Sequence, residues 1–593
     1  MNIAPFVALV MDRDRPRSDR IDHFVEVSCR SHGLVPLVQR ERLLVLGAPE
    51  APHIVIADGA GLVWGHLFDR HGGERRQTLA GTTDLGGGAK EFLRRYWGGY
   101  AALCATADGM TVLRDPSGVV PCYHAQVDGV QILTSRPQLL VEAGLMRAEI
   151  DWTIVVQGLA YRDLRPTRTA LRGISELQPG MAARLTPGRI DTNCAWSPWQ
   201  FTGPESELAD RTAAIGAVGE TARMCIAAWG RAFQRPIAEI SGGLDSAIVA
   251  AGLKLAGCMP ACLTFEPAQG DPDETPYARA IADHLGVPLE AVPLRITDID
   301  LMRSQAYQLP RPSARNFAQA LDRPNRELAA KIGADAFFSG GGGDNVFCHI
   351  QSTAPVIDRF RRQGLGRGLF ETIDHVAQLA HCSSWNVARV AARRMIRGAG
   401  AERWPSNTRY LSPQALDRLP FPDGHPWVDA PPDALPGKRD HVTALIAIQN
   451  HLDGLERIGV APIISPLLSQ PLMEVCLAIP SWLWCDGGNN RAMARAAFRD
   501  VLPASVIARR SKGAFDAFAG QLLDANRALL REMLLDGLLA RERLVDIDAI
   551  ERDLGPTLPA SDAIVRLLSL ADVEAWSRTW QGDVSFGAPA SRS

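Results

Sequence analysis

The fold of this chain is decided by the stretch Ile237-Ala238-Glu239-Ile240-Ser241-Gly242-Gly243-Leu244-Asp245-Ser246. Its first four residues are typical of a short strand, and an apolar pattern with helical spacing follows its last residue. Glycines between a strand and a helix leave backbone N–H groups directed at one point, where the helix dipole favours phosphate. Gly242 and Gly243 let a ligand approach the backbone, and Ser241 and Ser246 add hydroxyl groups. The stretch therefore predicts a strand–loop–helix unit that binds a chain of phosphates.

Asp245 is the unusual residue of this loop, because its carboxylate would repel phosphate oxygens. A Mg²⁺ ion held between the carboxylate and the phosphates removes this conflict, so the sequence predicts Asp245 as a metal ligand. A structural alternative stays open at this point. Ser241 and Asp245 would then cap the following helix by accepting hydrogen bonds from its first amides.

A second glycine loop, Ser339-Gly340-Gly341-Gly342-Gly343-Asp344, follows the strand-like residues 336–338. Four consecutive glycines leave no side chains between a ligand and the backbone. Asp344 is predicted to lie opposite Asp245 as the second metal carboxylate. The alternative is a mobile turn with no ligand, but two similar loops with one aspartate each favour a shared site.

Strands alternate with helices around these two loops. Strands are predicted at 237–240, 261–265, 288–294 and 336–338, and helices at 213–233 and 274–285. This alternation predicts a parallel, doubly wound sheet. Beyond residue 350 the pattern is mostly helical, with a proline-rich interruption at 421–436.

The first 200 residues follow another pattern, in which short apolar runs alternate with turn residues. The runs at 43–46, 53–57, 61–64 and 110–113 predict strands of a mainly antiparallel domain. Proline and glycine at 197–206 predict a linker between domains. The predicted domains are therefore 1–200 and 209–580, and the tail at 582–593 is predicted to be disordered.

The composition limits the classes of partner. Of 593 residues, 46% are hydrophobic and 22% are charged, as is ordinary for a globular protein without membrane spans. The formal net charge of -3 gives no reason to expect nucleic acid. The apolar start precedes its charges, which is the reverse of a secretory signal. The eleven cysteines form no CxxC pair, so we expect reduced thiols, no zinc cage and a cytoplasmic location.

The motifs resemble those of the asparagine synthetase family. The first loop is similar to that family's pyrophosphate loop, and Phe-Ser-Gly-Gly-Gly-Gly-Asp-Asn-Val-Phe at 338–347 to its Leu-Ser-Gly-Glu-Gly-Ala-Asp-Glu-Leu-Phe motif. Arg-Ser-Lys-Gly-Ala-Phe at 510–515 resembles a closing segment. Arg-Asp-Pro-Ser-Gly-Val-Val-Pro-Cys-Tyr-His at 114–124 resembles a motif of the glutaminase domain. The resemblance extends over roughly residues 40 to 520.

This resemblance implies the α/β fold class: a mainly antiparallel, glutaminase-like Ntn-type domain precedes a doubly wound, parallel-sheet ATP pyrophosphatase domain with a helical C-terminal part. It also implies a reaction with ATP and Mg²⁺. A carboxylate attacks the α-phosphate, pyrophosphate leaves, and an amine attacks the acyl-adenylate. Lys512, Asp245 and Asp344 are the predicted catalytic residues, and both aspartates are the predicted metal ligands. Lys512 would stabilise developing charge, or would alternatively be a surface lysine beside Arg509 and Arg510.

The residues predicted to contact ATP are Ile240, Ser241, Gly242, Gly243, Asp245, Ser246, Thr264, Ser339 and Gly340.

Two departures from the family pattern redirect the function. Glutamine-dependent members use an N-terminal cysteine thiol, but position 2 is Asn2 here. The oxyanion motif Asn-Gly-Glu-Ile-Tyr-Asn is replaced by Trp-Gly-His-Leu-Phe-Asp at 64–69. Without its nucleophile the domain cannot release ammonia from glutamine, so it is predicted to be a degenerate shell.

The family members that lost this cysteine include β-lactam synthetases and lasso-peptide macrolactam cyclases. Gly341 and Asn345 lack the bulk and the acidic group found in relatives, which favours a wide site and a peptide substrate. We therefore expect closure of an isopeptide macrolactam on a precursor peptide, with a leader-peptide protease and a leader-recognition protein as partners. The alternatives are an ammonia-using or β-lactam synthetase-like amide ligase and, from another class, a non-catalytic ATP-binding scaffold.

Two further sets of residues stay as hypotheses. The candidates for the base that deprotonates the attacking amine are His349, Glu371, Asp374 and His375. A basic segment carries Arg389, Arg393, Arg394, Arg397 and Arg403. This segment is interpreted as a solvated helix face or, alternatively, as a dock for acidic parts of a peptide or partner protein.

Overall fold

The computed structural model describes residues 5–12, 14, 17–56, 59–79, 88–313, 315–397, 404–417, 419–421, 424–510, 513 and 515–582. Asn2, Arg403, Lys512 and the tail beyond Gly582 lie outside these residues, as does the side chain of Arg397. The predictions made for them are therefore not tested by the fold.

The N-terminal part contains two six-stranded antiparallel sheets, with strand orders β10-β8-β9-β1-β3-β2 and β12-β11-β7-β6-β5-β4. The strands of the first sheet are β1 (Phe6–Val10), β2 (Val35–Gln39), β3 (Leu43–Gly47), β8 (Tyr123–Val127), β9 (Val130–Thr134) and β10 (Ile174–Glu176). The strands of the second sheet are β4 (His53–Ile56), β5 (Gly61–Asp69), β6 (Tyr96–Thr106), β7 (Gly109–Arg114), β11 (Met181–Thr186) and β12 (Arg189–Cys194). The four strands predicted in this region are all present.

The two sheets pack against each other through apolar side chains, because each strand turns alternate residues inward. Phe6 from β1, Leu62 and Leu103 from the second sheet and Phe24 belong to one buried cluster. Four helices border the sheets: α1 (Asp19–His32), α2 (Ala89–Arg95), α3 (Gln138–Glu142) and α4 (Trp152–Ala160). The antiparallel architecture predicted for the N-terminal part is confirmed.

The segment predicted as a linker is packed against the rest of the chain. It forms two short 3-10 helices, Pro198–Phe201 and Pro204–Ser206. Trp199 donates its indole N–H to the carbonyl of Trp427 at 2.9 Å. The proline and glycine content of the segment therefore marks a change of direction rather than a flexible connection.

The central part is a five-stranded parallel sheet with the order β15-β14-β13-β16-β17. Its strands are β13 (Pro236–Glu239), β14 (Ala261–Glu266), β15 (Leu289–Pro293), β16 (Ala336–Phe338) and β17 (Ile463–Ile464). The connecting helices include α5 (Arg211–Gly230), α6 (Leu244–Leu255), α7 (Thr275–Leu285) and α8 (Ala318–Ile332). The strand order reverses between β13 and β16, and such a reversal opens a crevice at the carboxyl ends of the strands. The predicted doubly wound sheet is confirmed.

The C-terminal part is helical, as predicted. Its helices are α9 (Gly343–Val346), α10 (Ala354–Gln363), α11 (Arg367–Leu379), α12 (Ser384–Arg397), α13 (Pro413–Asp417), α14 (Pro436–Ile448), α15 (Gln470–Ala478), α16 (Ala492–Ala497), α17 (Ala504–Ala508), α18 (Asp516–Ala525), α19 (Arg527–Leu535), α20 (Leu538–Arg541), α21 (Ile547–Asp553) and α22 (Ser561–Gln581). Within the described residues, every helix is too short or too polar to span a bilayer.

A buried network of charges joins the N-terminal and C-terminal parts. Arg165 pairs with Glu176 and, at 3.0 Å, with Asp453. Arg311 pairs with Asp453 at 2.9 Å, and Arg114 with Glu176 at 2.8 Å. Burial alone would raise the pKa of Glu176, but the surrounding guanidinium groups lower it to about 2. Both carboxylates are therefore ionised when this interface is formed.

Candidate active site

The first glycine loop connects β13 to α6 at the crevice of the parallel sheet. Gly242 has a φ of +71°, and a Cβ atom there would lie 2.8 Å from the Cβ of Tyr277. Only glycine adopts this conformation without strain in so narrow a space. The backbone N–H of Ser241 donates to the Ser246 hydroxyl at 3.2 Å, and the two hydroxyl oxygens are 3.3 Å apart. The loop is held in a fixed shape by its own residues.

The start of α6 decides between the two interpretations of the loop. Gly243 is the N-cap residue, and a glycine has no side chain with which to cap the helix. The interpretation of Ser241 and Asp245 as helix caps is therefore wrong. The amides at the start of the helix remain available to phosphate oxygens, as the ligand-binding prediction requires.

The second glycine loop lies directly against the first. A Cβ atom on Gly340 would lie 2.5 Å from the backbone nitrogen of Ser246, and one on Gly343 would overlap the Asp245 side chain. The Gly341 N–H donates to the Ser339 hydroxyl at 3.0 Å. Glycine is required at Gly340 and Gly343 because two loops meet there, which favours the shared-site interpretation over a mobile turn.

The two loops bring Asp245 and Asp344 to one point. The same guanidinium nitrogen of Arg491, Nη1, lies 2.7 Å from Asp245 Oδ2 and 2.6 Å from Asp344 Oδ1. Arg491 has a φ of +57° and immediately precedes α16. Arg491 was not predicted as a site residue, because it lies far along the chain and its left-handed conformation has no signature in the sequence.

The chemistry of this point fits a magnesium ion. Two carboxylates converge on one position, where the structure holds a positive charge, and carboxylate oxygens are the preferred protein ligands of Mg²⁺. Across the described ranges no group of three or more His, Cys, Asp or Glu residues is arranged to hold a metal. The ion would therefore depend on phosphate oxygens and water to complete its coordination, as expected for a magnesium–nucleotide site.

The remaining residues predicted to contact ATP surround this point. Ile240 follows β13, and its N–H donates to the carbonyl of Leu263 in β14 at 2.8 Å. The next residue of β14, Thr264, is buried beside it. Ser339 begins the second loop, and its N–H donates to the carbonyl of Ile464 in β17 at 2.9 Å. The predicted set is thus brought together at the carboxyl ends of neighbouring strands.

Arg509 attaches the segment before Lys512 to the first loop. Its guanidinium donates to the Gly242 carbonyl at 2.9 Å, pairs with Glu274 at 2.5 Å and lies 4.3 Å from the centre of the Tyr277 ring. The N–H of Gly513 also donates to Glu274, at 2.8 Å. Lys512 lies outside the described residues, but both described neighbours of its segment contact the wall of the site.

The four candidate bases lie at different distances from the site. His349 Nδ1 is 3.6 Å from Asp344 Oδ1, at the end of the second loop. Glu371 pairs with Arg367 on the surface of α11. Asp374 and His375 lie on the same helix, where Asp374 accepts a hydrogen bond from Ser384 and His375 lies 3.9 Å from Asp486. Of the four, only His349 is beside the aspartates.

The segment that replaces the glutaminase motif is filled with aromatic rings. His66 lies in β5 with its ring 5.5 Å from that of Trp229 and 5.2 Å from that of Phe233. Burial and, to a lesser extent, the nearby Arg75 lower the pKa of His66 to about 3. A largely apolar cavity of about 450 Å³ adjoins it. His66 is therefore neutral at ordinary pH and packs as a ring.

One comparison with known proteins covers both glycine loops. The family model described as asparagine synthase matches residues 231–578. The solved structure of "the allosteric regulatory enzyme of purine biosynthesis" is 10% identical, with a TM-score of 0.20, and the match covers 57% of this chain and 83% of that one. Glutamine phosphoribosylpyrophosphate amidotransferase from B. subtilis is also 10% identical, with a TM-score of 0.19 and coverage of 56% and 84%.

A search among curated proteins gives no match. Solved structures with TM-scores this low say nothing about function, so the family assignment depends on the family model. It spans more than half of the chain and includes both glycine loops, both aspartates, Arg491 and Arg509. The chain belongs to the asparagine synthase family.

Proposed function

We propose that this member of the asparagine synthase family is an ATP-dependent ligase that closes a macrolactam ring on a precursor peptide. It adenylates a side-chain carboxylate of the peptide, and the N-terminal amine of the same peptide then displaces AMP. The observation that carries the adenylation step is the convergence of Asp245 and Asp344 on one cation position between two glycine loops. ATP is the second substrate and Mg²⁺ the proposed metal.

The chain's own groups explain how the first step would be promoted. The first loop is proposed to orient the nucleotide through its backbone amides and the hydroxyls of Ser241 and Ser246, which lie 3.3 Å apart. Magnesium held by the two aspartates would neutralise charge on the leaving pyrophosphate. Lys512 is proposed to stabilise charge near the same group, because Arg509 and Gly513 attach its segment to the loop.

The second loop supports a wide entrance to this site. A Cβ atom on Gly341 would meet only the hydroxyls of Ser339 and Ser465, at 3.2 and 3.6 Å. The Asn345 side chain donates to the carbonyl of Ala444 at 2.8 Å, so it attaches the loop to α14. Gly341 and Asn345 therefore leave this side of the entrance without a bulky or acidic side chain. Such an entrance suits a peptide better than a free amino acid.

A surface on α12 supports a polypeptide substrate independently. Trp385 is 78% exposed and Ile396 is 86% exposed, whereas all twelve other tryptophans are buried or partly buried. Arg389 and Arg393 lie between these two residues on the same helical face, because the spacing of 385, 389, 393 and 396 follows successive turns. We define this α12 face by Trp385, Arg389, Arg393 and Ile396.

The α12 face combines two apolar ends with two central positive charges. Solvated helix faces are ordinarily polar, so large exposed apolar side chains indicate a contact surface. Arg394 takes no part in the face, because it pairs with Asp440 at 2.9 Å. Of the described arginines in the basic segment, Arg389 and Arg393 therefore remain as the candidate binding surface for an acidic peptide.

The proposal also includes the partners of the enzyme and the roles of its domains. The partners are a precursor peptide, a protease that releases its N-terminal amine and a leader-recognition protein. The proposed domains are residues 1–200, a shell without glutaminase activity, and residues 209–580, which carry the ligase. Asn2 cannot replace a cysteine nucleophile, so the amine must arrive by a route other than glutamine, and the substrate's own amine is proposed.

ATP–pyrophosphate exchange tests the choice of substrate. We expect exchange with a synthetic peptide that carries a free N-terminal amine and one internal aspartate or glutamate, and none with free aspartate. Asp245→Asn serves as the inactive control, since it removes one of the two carboxylates. Exchange with aspartate and ammonia but not with peptide would establish the amide-ligase alternative instead, and no exchange with either would leave only a nucleotide-binding scaffold.

A further inference from the structure

A small cavity lined by several charged side chains lies between the N-terminal part and the last helix, away from both glycine loops. Its volume is about 110 Å³, and its walls come from α4 with the chain that follows it, from the segment around residue 311 and from α22. The cavity is lined by six arginines: Arg162, Arg165, Arg168, Arg311, Arg315 and Arg566. No residue of the first or second glycine loop lines it.

Three of these arginines are neutralised by carboxylates. Arg165 and Arg311 belong to the buried network and share Asp453, at 3.0 and 2.9 Å. Arg168 pairs with Asp151 at 2.6 Å. These charges are balanced within the protein and need no further partner.

Of the other three, Arg566 is the guanidinium group without a nearby carboxylate among the described residues. Arg162 lies 3.6 Å from Asp163, and the charges of Asp453, Asp163 and Asp572 act on Arg315. Arg566 is only 6% exposed, and it donates to the carbonyls of Arg409 and Asn407, both at 3.2 Å, with no carboxylate at ion-pair distance among the described residues. Arg315 donates to the carbonyls of Asn450 and His451. Burial, together with the neighbouring Arg162, lowers the pKa of Arg566 to about 10, which reflects this shortage of negative charge.

The carboxylates at the cavity act on the other arginines and not on Arg566. Asp163 is shared by Arg162 at 3.6 Å and His451 at 3.1 Å. Asp562 is 74% exposed in its side chain and pairs with Arg409, outside the cavity. Two buried polar atoms in the wall, Ser313 Oγ and Arg315 Nε, also lack hydrogen-bond partners in the part of the chain that the structure describes.

Burying a cation without a counter-ion costs several kcal/mol in a protein interior, so such a group indicates a missing partner of opposite charge. Guanidinium groups bind phosphate and carboxylate oxygens through paired N–H donors. Nucleotide-sized ligands occupy pockets of roughly 300 Å³ or more, so the smaller volume excludes a second nucleotide and fits a small anion.

We propose that this cavity is a binding site for a small anion that carries a phosphate or carboxylate group. Arg566, Arg315 and Arg162 would supply the positive charge, and the Ser313 hydroxyl would supply a further donor. The ligand would contact α22 and the chain after α4 at once, so its binding would stabilise the contact between the two parts of the molecule. The site is independent of the proposed ring-closing activity.

Thermal unfolding of the full chain without nucleotide tests this site. We expect phosphate to raise the melting temperature of the wild type by roughly 2 °C relative to chloride at equal ionic strength. Arg566→Met should remove this rise and, in chloride, should melt no lower than wild type, because it eliminates a buried charge without a counter-ion. A rise with malonate and none with phosphate would assign the site to carboxylates.

The controls separate this cavity from the glycine loops. Any anion bound at the first loop contributes equally to wild type and Arg566→Met, so the difference between them reports the cavity alone. Arg189→Met, which changes an arginine of β12 with a 73% exposed side chain, should retain the full rise. Arg566→Lys, which keeps the charge, provides the comparison if the methionine variant does not fold and should retain part of the rise. Equal rises in wild type and Arg566→Met, or none with either anion, would overturn the proposal.

Discussion

At the scale of single residues, Arg491 explains how two carboxylates can lie together at the active site. Asp245 and Asp344 would repel each other and resist ionisation without a cation between them. The Arg491 guanidinium lies within hydrogen-bond distance of both. A magnesium ion held by the same oxygens would have to displace it, so the arginine and the metal compete for one position.

This competition predicts the behaviour of Arg491→Met. The variant should lose stability without magnesium, since the two carboxylates then face each other, and should bind Mg²⁺ roughly tenfold more tightly than wild type. Calorimetric titration with Mg²⁺ measures the affinity without relying on activity. Arg393→Met is the control for losing one arginine. Identical titrations of wild type and Arg491→Met would show that the guanidinium does not compete with the metal.

The second glycine loop offers a matched pair of substitutions. Gly343→Ala should lower the rate of ATP–pyrophosphate exchange about a hundredfold, because its Cβ would displace Asp245. Gly341→Ala should stay near wild type, since its Cβ meets only the hydroxyls of Ser339 and Ser465. If both variants exchange at the wild-type rate, Asp245 is not positioned by this loop.

At the scale of elements, the α12 face carries two large exposed apolar side chains, which an ordinary solvent-facing helix would not have. Trp385→Ala should raise KM for the peptide at least several-fold while KM for ATP stays unchanged, because the face lies on a helix that contributes nothing to the phosphate loops. Leu255→Ala removes another exposed apolar side chain, 59% exposed on α6, and serves as the control. Equal KM values for wild type and Trp385→Ala would exclude this face from peptide binding.

The elements also show what the sequence could predict and what it could not. The strand at 336–338 and the loops after β13 and β16 were predictable, because apolar runs followed by glycine and aspartate mark strand ends. β17 was not predicted, since two residues form no pattern of their own. Glu371, Asp374 and His375 stay hypotheses for the base, each with the alternative of an ordinary helix residue, and their described partners lie on or beside α11.

At the scale of the whole molecule, the N-terminal and C-terminal parts are joined by the buried network around Glu176 and Asp453. Surrounding guanidinium groups depress the pKa of Glu176 from its ordinary value of 4.5 to about 2. A carboxylate with a depressed pKa contributes stability above its unfolded pKa. That contribution is lost as pH falls from about 4.5 toward 2, when the folded carboxylate becomes protonated.

Glu176→Gln should therefore destabilise the protein by about 3 to 5 kcal/mol at neutral pH, since it leaves Arg114 and Arg165 short of a counter-charge. The difference in unfolding free energy between wild type and variant should shrink as the pH falls below 4.5, because the wild-type carboxylate takes up a proton between that pH and about 2. Chemical unfolding across this pH range measures both effects. Asp108→Asn, which breaks the exposed pair with Arg184, should change little. A constant difference at all pH values would contradict this assignment.

The central claim is ring closure on a peptide, and mass spectrometry of the product tests it most directly. The protein is incubated with ATP, Mg²⁺ and a series of synthetic peptides that carry a free N-terminal amine and one aspartate or glutamate at successive positions. The proposal predicts that one position yields a peptide lighter by one water, with one AMP formed per ring, and that Asp245→Asn yields neither. Formation of AMP with free aspartate and ammonia, while every peptide keeps its mass, would contradict the claim.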